Sequence, residues 1–268
     1  MKEIALQVAS QAGEQKLNVL REYLQNYLLF LLQKTGMNLY LNFVGGTSLR
    51  FLYRIRRYSE DLDFSATENW APAKLSLYAP KIKQELTRAG YSFSLILQEE
   101  KTVQRVTIRF ENLLFELGLS SRKNQKLPIN IEIDTHPPPG WKNEKSIVNI
   151  YLPILIQHYN KASLLAAKVI ALFTRPYTKG RDVYDIFWFR SKWKDLKPNY
   201  ELLNNGLLQI TTLRKKVTFN EENWLGILKE KIETLNWKEV INDVRPFIEN
   251  PDELLTFSKE NMLLLFSE

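Results

Sequence analysis

The sequence predicts an α+β chain, with a sheet-bearing region over residues 1–152 and a helical region over 153–268. Two observations carry this. Strand-like and helical periodicities are interspersed up to about residue 152, whereas from 160 onward only helical periodicity is found, the pattern of an α+β unit followed by a helical one. The chain is also long enough to bury a real core, at 268 residues with 44% hydrophobic, 12% aromatic and 25% charged content.

Taken in order, residues 14–34 place Leu17, Leu20, Leu24, Tyr27, Leu28 and Leu31 at helical spacing, and Gly36 stops that helix. A short apolar strand (Tyr40, Leu41, Phe43, Val44) runs into Gly45-Gly46. A helix follows over Thr47 to Arg57, with Arg50, Arg54, Arg56 and Arg57 expected on its outer side. A strand over 58–65, a proline-containing loop and a helix near 74–89 come next, the helix ending at Gly90. Strands are expected over 91–98, 102–110, 127–135 and 146–152. In 127–135, Ile129, Ile131 and Ile133 face one way and Asn130, Glu132 and Asp134 the other. His136 and the prolines 137–139 end that strand, because proline cannot continue a ladder. The remaining helices are expected over 160–174, 181–193, 199–210, 221–235, 237–248 and 251–266.

The net charge of +7 is unevenly spread: 5 basic against 11 acidic residues from Asn220 to Glu268, and 32 against 19 in the rest. A basic body suits a polyanionic partner. With no cysteine, disulfides, thiolate metal sites and cysteine nucleophiles are excluded, which fits a cytoplasmic protein. No apolar run is long enough to span a bilayer, and no secretory leader is visible. Two histidines, His136 and His158, argue against a histidine metal cluster or a hydrolase triad, and neither a P-loop nor a Gly-x-Gly-x-x-Gly fingerprint is present.

The informative stretch is Phe43–Phe64. Gly45 and Gly46 allow close backbone approach, and the helix opened by Thr47 and Ser48 offers unpaired N–H groups and the positive end of its dipole to an anion. Fifteen residues after Gly46 comes Asp61, and Asp61 and Asp63 project from one face of a strand. A phosphate cradle beside paired carboxylates suits metal-assisted phosphoryl or nucleotidyl transfer, the carboxylates holding the cations. Glu132 and Asp134 lie on the polar face of another strand, and either could supply a third carboxylate. Lys168 stands in an apolar helical stretch, where a lone cation either reaches solvent or faces an anion. Asp182 and Asp185 share a helix face, with Arg181 as a candidate surface partner for Asp185.

Gly45-Gly46-Thr47-Ser48-Leu49-Arg50 followed by Ser59-Glu60-Asp61-Leu62-Asp63-Phe64 resembles the first motif of DNA-polymerase-β-like nucleotidyltransferases, and more narrowly the AbiEii-type toxins of abortive-infection and toxin–antitoxin pairs. Ile131-Glu132-Ile133-Asp134-Thr135 ahead of Pro137 resembles the same family. So does Lys168 followed by Lys179-Gly180-Arg181-Asp182-Val183-Tyr184-Asp185. The likeness runs from about Leu39 to Phe189 and fades after about 195. Gly45-Gly46 departs from the Gly-Ser pair of the wider superfamily, leaving Thr47 or Ser48 to hold the terminal phosphates.

The resemblance implies a nucleotidyltransferase-like mixed sheet flanked by helices, with the helical domain contributing Lys168 and Asp182 to the active-site cleft. It implies two Mg²⁺ ions, Mn²⁺ being the alternative, at Asp61, Asp63 and Glu132 (or Asp134). A nucleoside triphosphate would lie among Gly45, Gly46, Thr47, Ser48, Arg50 and Lys168. Asp182 would orient Lys168 or help position the acceptor, and Asp185 would brace its helix. The implied acceptor is RNA, in the first place the 3′ end of tRNA, and the implied partner a cognate antitoxin. The competing expectations are a non-catalytic RNA- or partner-binding module on a degenerate transferase fold, and a metal-dependent phosphodiesterase using the same carboxylates.

Overall fold

The structure, a computed structural model, describes residues 1–71, 74–209 and 217–267. Pro72, in the loop ahead of the helix near 74–89, and residue 210, the expected end of the 199–210 helix, lie outside the described residues. The chain divides into two compact units. One comprises Met1–Tyr53, Tyr58–His136 and Lys145–His158, and the other Arg54–Arg57, Pro137–Glu144 and Tyr159–Glu268.

The first unit runs α1 (Lys2–Ser10), α2 (Lys16–Thr35), β1 (Leu41–Val44), α3 (Gly45–Tyr53), β2 (Leu62–Ala66), α4 (Lys74–Arg88), β3 (Phe93–Gln98), β4 (Val103–Phe110), a single turn α5 (Leu113–Glu116), β5 (Leu127–Asp134), β6 (Asn143–Asn149) and β7 (Pro153–Tyr159). The seven strands form one mixed sheet in the order β3-β4-β5-β2-β1-β7-β6. β3–β4, β4–β5 and β1–β2 pair antiparallel, while β2–β5 and β1–β7 pair parallel.

Alternation decides which face is buried. Val106, Ile108 and Phe110 of β4, Ile129, Ile131 and Ile133 of β5 and Leu62 and Phe64 of β2 enter a core with Leu20, Leu24, Leu28 and Leu31 of α2 and Leu75, Ile82 and Leu86 of α4. Each buried isoleucine is worth roughly 1.5–3 kcal/mol. Sliding β5 by one residue would exchange the three isoleucines for Asn130, Glu132 and Asp134 in that core, so the hydrophobic pattern also pins the polar face in place. The mixed sheet, and with it the α+β class, is the one expected.

Several elements differ from the reading of the sequence. Helix α3 ends at Tyr53, and Arg54 takes a positive φ of 60°. Of the four arginines expected on the outside, Arg50 and Arg57 are instead buried, because each finds an acidic partner distant in sequence. β2 starts at Leu62, later than position 58. β7 is a strand that was not anticipated, and the expected 251–266 helix is broken into two pieces around Phe257.

The second unit holds α6 (Lys161–Thr174), α7 (Gly180–Lys192), α8 (Tyr200–Leu208), α9 (Trp224–Glu233), α10 (Trp237–Val244), α11 (Glu253–Thr256) and α12 (Lys259–Leu264). α6 packs on α7 and α8, α7 on α10, and α9 on α12. Asn160, Asn199 and Ser258 start α6, α8 and α12 as N-caps, each side chain accepting a backbone N–H from the first turn. Among the described residues no helix is long and apolar enough to cross a membrane.

Candidate active site

Strand β1 delivers the chain into Gly45 with Val44 in register with Asp63. Gly45 has φ +76°, and a Cβ built there would lie 2.0 Å from Asp63 Oδ2. Only glycine supplies both the left-handed backbone and the space for that carboxylate. Thr47 Oγ1 donates to the carbonyl of Asp61, and Ser48 Oγ donates to the carbonyl of Gly45 at 2.8 Å. Both side chains are fully buried, as is Gly46. Thr47 therefore ties the turn to the segment ahead of β2, Ser48 closes the turn on itself, and the donors this helix start leaves unpaired within the helix are backbone N–H groups. Arg50 Nε lies 2.5 Å from Glu22 Oε2, with the guanidinium over the Tyr58 ring at 4.6 Å; Tyr151 donates to the other Glu22 oxygen at 3.1 Å. Arg50 thus fastens α3 to α2.

The parallel register of β2 and β5 sets Asp63 beside Glu132 and Ser65 beside Asp134. Asp61, just ahead of β2, accepts from both the backbone N (3.2 Å) and Nδ2 (2.9 Å) of Asn130, whose Oδ1 in turn accepts from Thr107 Oγ1 at 2.8 Å. Arg105 is the β4 partner of Glu132, and its Nη2 is 2.7 Å from Glu132 Oε1. Asp134 sits one row further along and accepts from the backbone N of His136 at 3.0 Å; burial raises its pKa, and that hydrogen bond offsets part of the rise. Of the two candidates for the third carboxylate, Glu132 is the one in Asp63's own row.

The second unit holds another charged cluster. Lys168 Nζ, on α6, is 2.9 Å from Asp182 Oδ1 and 2.7 Å from Asp185 Oδ2, both on α7. Arg57 grips Asp185 with Nε and Nη2, each at 2.6 Å. Arg175 Nε lies 3.0 Å from Asp182 Oδ2, an ion pair not aligned as a hydrogen bond. Burial alone would lower the Lys168 pKa, but Asp182 and Asp185 overcome it and hold the pKa above its ordinary value. Burial would raise that of Asp182, but Lys168 and Arg175 hold it down. Asp185, expected only to brace its helix, is the hub joining Arg57 to Lys168; Arg181 turns instead to Asp243. Reading the sequence did not single out Arg57, Asn130 or Arg105 as site residues. For Asn130 and Arg105 the signal available was their position on the polar side of alternating strands.

A family model described as the nucleotidyl transferase AbiEii toxin of type IV toxin–antitoxin systems matches residues 28–256, most of the chain. The chain belongs to the AbiEii family. It is accordingly a nucleotidyltransferase of the toxin class, and membership implies a cognate antitoxin. Among solved structures, one from H. pylori classed provisionally as a nucleotidyltransferase shares the fold at TM-score 0.51 and 15% identity, over 88% of each chain. JHP933 from Helicobacter pylori matches at TM-score 0.48 and 16% identity, over 88% of this chain and 85% of its own. No curated protein sequence matches.

Members of such a family invite a test for a divalent cation. The donors available to one are hard carboxylate oxygens on neighbouring strands, and the Gly45 cradle leaves room for Asp63. That chemistry fits Mg²⁺ or Mn²⁺. Among the described residues, however, no three acidic or histidine side chains are already arranged to hold an ion, since Asp61 is turned to Asn130 and Glu132 to Arg105.

Proposed function

We propose that this AbiEii-family chain transfers a nucleoside monophosphate from a nucleoside triphosphate to the terminal hydroxyl of an RNA, with the 3′ end of tRNA as the acceptor. The observation that carries this reading is the Asp63–Glu132 row, two residues from Asp61 and pressed against the glycine turn. Asp61, Asp63 and Glu132 would hold Mg²⁺ or Mn²⁺. Bound there, two such ions would neutralise the triphosphate and make the acceptor hydroxyl a better nucleophile. Backbone N–H groups at the start of α3 would receive phosphate oxygens. A carboxylate oxygen of the row would take the hydroxyl proton as the acceptor oxygen bonds to the α-phosphorus. The bond from that phosphorus to the bridging oxygen then breaks, and pyrophosphate leaves. The basic body of the chain, 32 Lys and Arg against 19 Asp and Glu outside residues 220–268, suits a nucleic-acid acceptor. Lys168 and Asp182, within the second unit, form a fixed pair, each holding the other's charge state.

The test is incubation with total tRNA, Mg²⁺ and each of the four α-labelled nucleoside triphosphates, beside Asp63→Ala. Label should enter RNA from one nucleotide and be absent with the variant. RNA left unchanged by all four nucleotides would refute the acceptor assignment, and shortened RNA would indicate hydrolysis by the same carboxylates.

A further inference from the structure

Two of the arginine–carboxylate pairs in this molecule are built in different ways. Arg57 meets Asp185 through two contacts of 2.6 Å, with side chains 2% and 0% exposed. Arg105 meets Glu132 through one ion-pair contact of 2.7 Å, with side chains 41% and 26% exposed, and its Nε is buried without a hydrogen-bond partner. The first is a fork-to-fork strut closed to water. The second uses part of a guanidinium's donor set in a place that solvent and solutes reach, and an exposed pair of this kind is weak.

Its location gives the weakness a consequence. Asp63, Glu132 and Arg105 occupy one row across β2, β5 and β4. In the neighbouring row Thr107 and Asn130 hold Asp61. Asp61 is therefore held by neutral donors, which leave its charge in place, whereas Glu132 is held by a cation. Of these two, Glu132 is the carboxylate that a divalent ion must win from a cation of the protein. A guanidinium displaced from it would keep its charge and its fork, the geometry that matches a phosphate.

We propose that Arg105 is a displaceable counter-ion: it occupies Glu132 until a divalent cation takes that carboxylate, and the released guanidinium then binds a phosphate of the incoming nucleoside triphosphate. The inference rests on the carboxylate row being the cation site of the transfer reaction. Cation and nucleotide are then coupled ligands, each removing a competitor of the other, and by linkage the coupling is reciprocal. Without nucleotide the site binds its cation weakly; with nucleotide it closes on both.

Mn²⁺ binding, read as loss of the free-ion electron paramagnetic resonance signal, tests this with and without a non-hydrolysable α,β-methylene nucleoside triphosphate. The chains to compare are wild type, Arg105→Gln, Arg105→Lys and Asp63→Asn. Arg105→Gln should bind Mn²⁺ about 2- to 5-fold more tightly than wild type in the absence of nucleotide, the worth of an exposed ion pair. It should also lose most of the tightening that nucleotide produces, and Arg105→Lys should restore part of both effects. If Asp63→Asn abolishes binding while Arg105→Gln leaves the affinity unchanged or weaker, the cation site stands and the counter-ion role is refuted. If wild type shows no Mn²⁺ binding that Asp63→Asn removes, the cation site falls and the counter-ion role with it.

Discussion

Gly45→Ala should disable the site while leaving the protein folded, and the size of the effect follows from two distances. Its φ of +76° costs an alanine about 1–2 kcal/mol. The new methyl would lie 2.0 Å from Asp63 Oδ2 and 2.7 Å from its Cβ and Cγ, where ordinary contact begins near 3.4 Å. The carboxylate must therefore move by more than an ångström, or the turn must. A displacement of about 1 Å in a group that holds reacting atoms lowers a rate by about 100-fold. Together the two terms should lower stability by about 2–3 kcal/mol, a fall of about 4–12 °C in the melting midpoint for a chain of this size. Gly90→Ala is the matched control, because Gly90 has φ +85° and nothing within 4 Å of the added methyl. It should show the backbone cost alone and retain nucleotide incorporation into RNA. Measured side by side, equal incorporation by Gly45→Ala and wild type would refute the argument that Gly45 exists to seat Asp63. Equal losses in both variants would assign the effect to backbone strain.

Two further outcomes concern the charged cluster of the helical unit. Asp185→Asn leaves buried Arg57 without its carboxylate and Lys168 with Asp182 alone, so it should cost about 3–5 kcal/mol in urea unfolding; a loss below about 1 kcal/mol would show that the Arg57–Asp185 pair is not a strut. The Lys168–Asp182 pair should give a stability plateau with two edges. Asp182 is held below its ordinary 3.8 in the folded chain, so its contribution is complete above about pH 5 and is lost as the pH falls below about 4. Lys168 is held above 10.5, so its contribution is complete below about pH 10 and is lost only as the pH rises further. Asp182→Asn should lower the plateau and remove the acid-side slope that this carboxylate supplies; an unchanged slope would place that slope elsewhere.

What could be read from the chain alone was whatever rests on local periodicity. Alternation in 103–110 and 127–134 marked the strands, which lie where they were expected. The same alternation put Asn130, Glu132 and Asp134 on one side of β5, and it read Asp61 and Asp63 as one side of a strand over 58–65, of which β2 holds Asp63 while Asp61 lies just ahead of it. It also fixes their register, since a slip would carry charge into the core. The helical periodicity after 160 likewise corresponds to helices α6 to α12, with breaks at the ends that capping and short 3₁₀ turns decide.

Partners in space are a different matter. Arg50 meets a carboxylate 28 residues away and Arg57 one 128 residues away, so a run of four arginines on a short helix read as a solvated, basic face. Two of them are buried because the tertiary fold supplies Glu22 and Asp185. The hydroxyl of Thr47 looked free for phosphate until the fold brought the Asp61 carbonyl within reach, whereas that of Ser48 is taken locally by the Gly45 carbonyl three residues back. The choice between Glu132 and Asp134 was open for the same reason: both alternate correctly, and only the pairing of β5 with β2 puts one of them in Asp63's row. The sequence by itself determined the class of fold, the acidic strands and the glycine turn, because each of these is set by near neighbours. The tertiary structure alone decided which charges neutralise one another, because ion pairing depends on distances that no local pattern encodes.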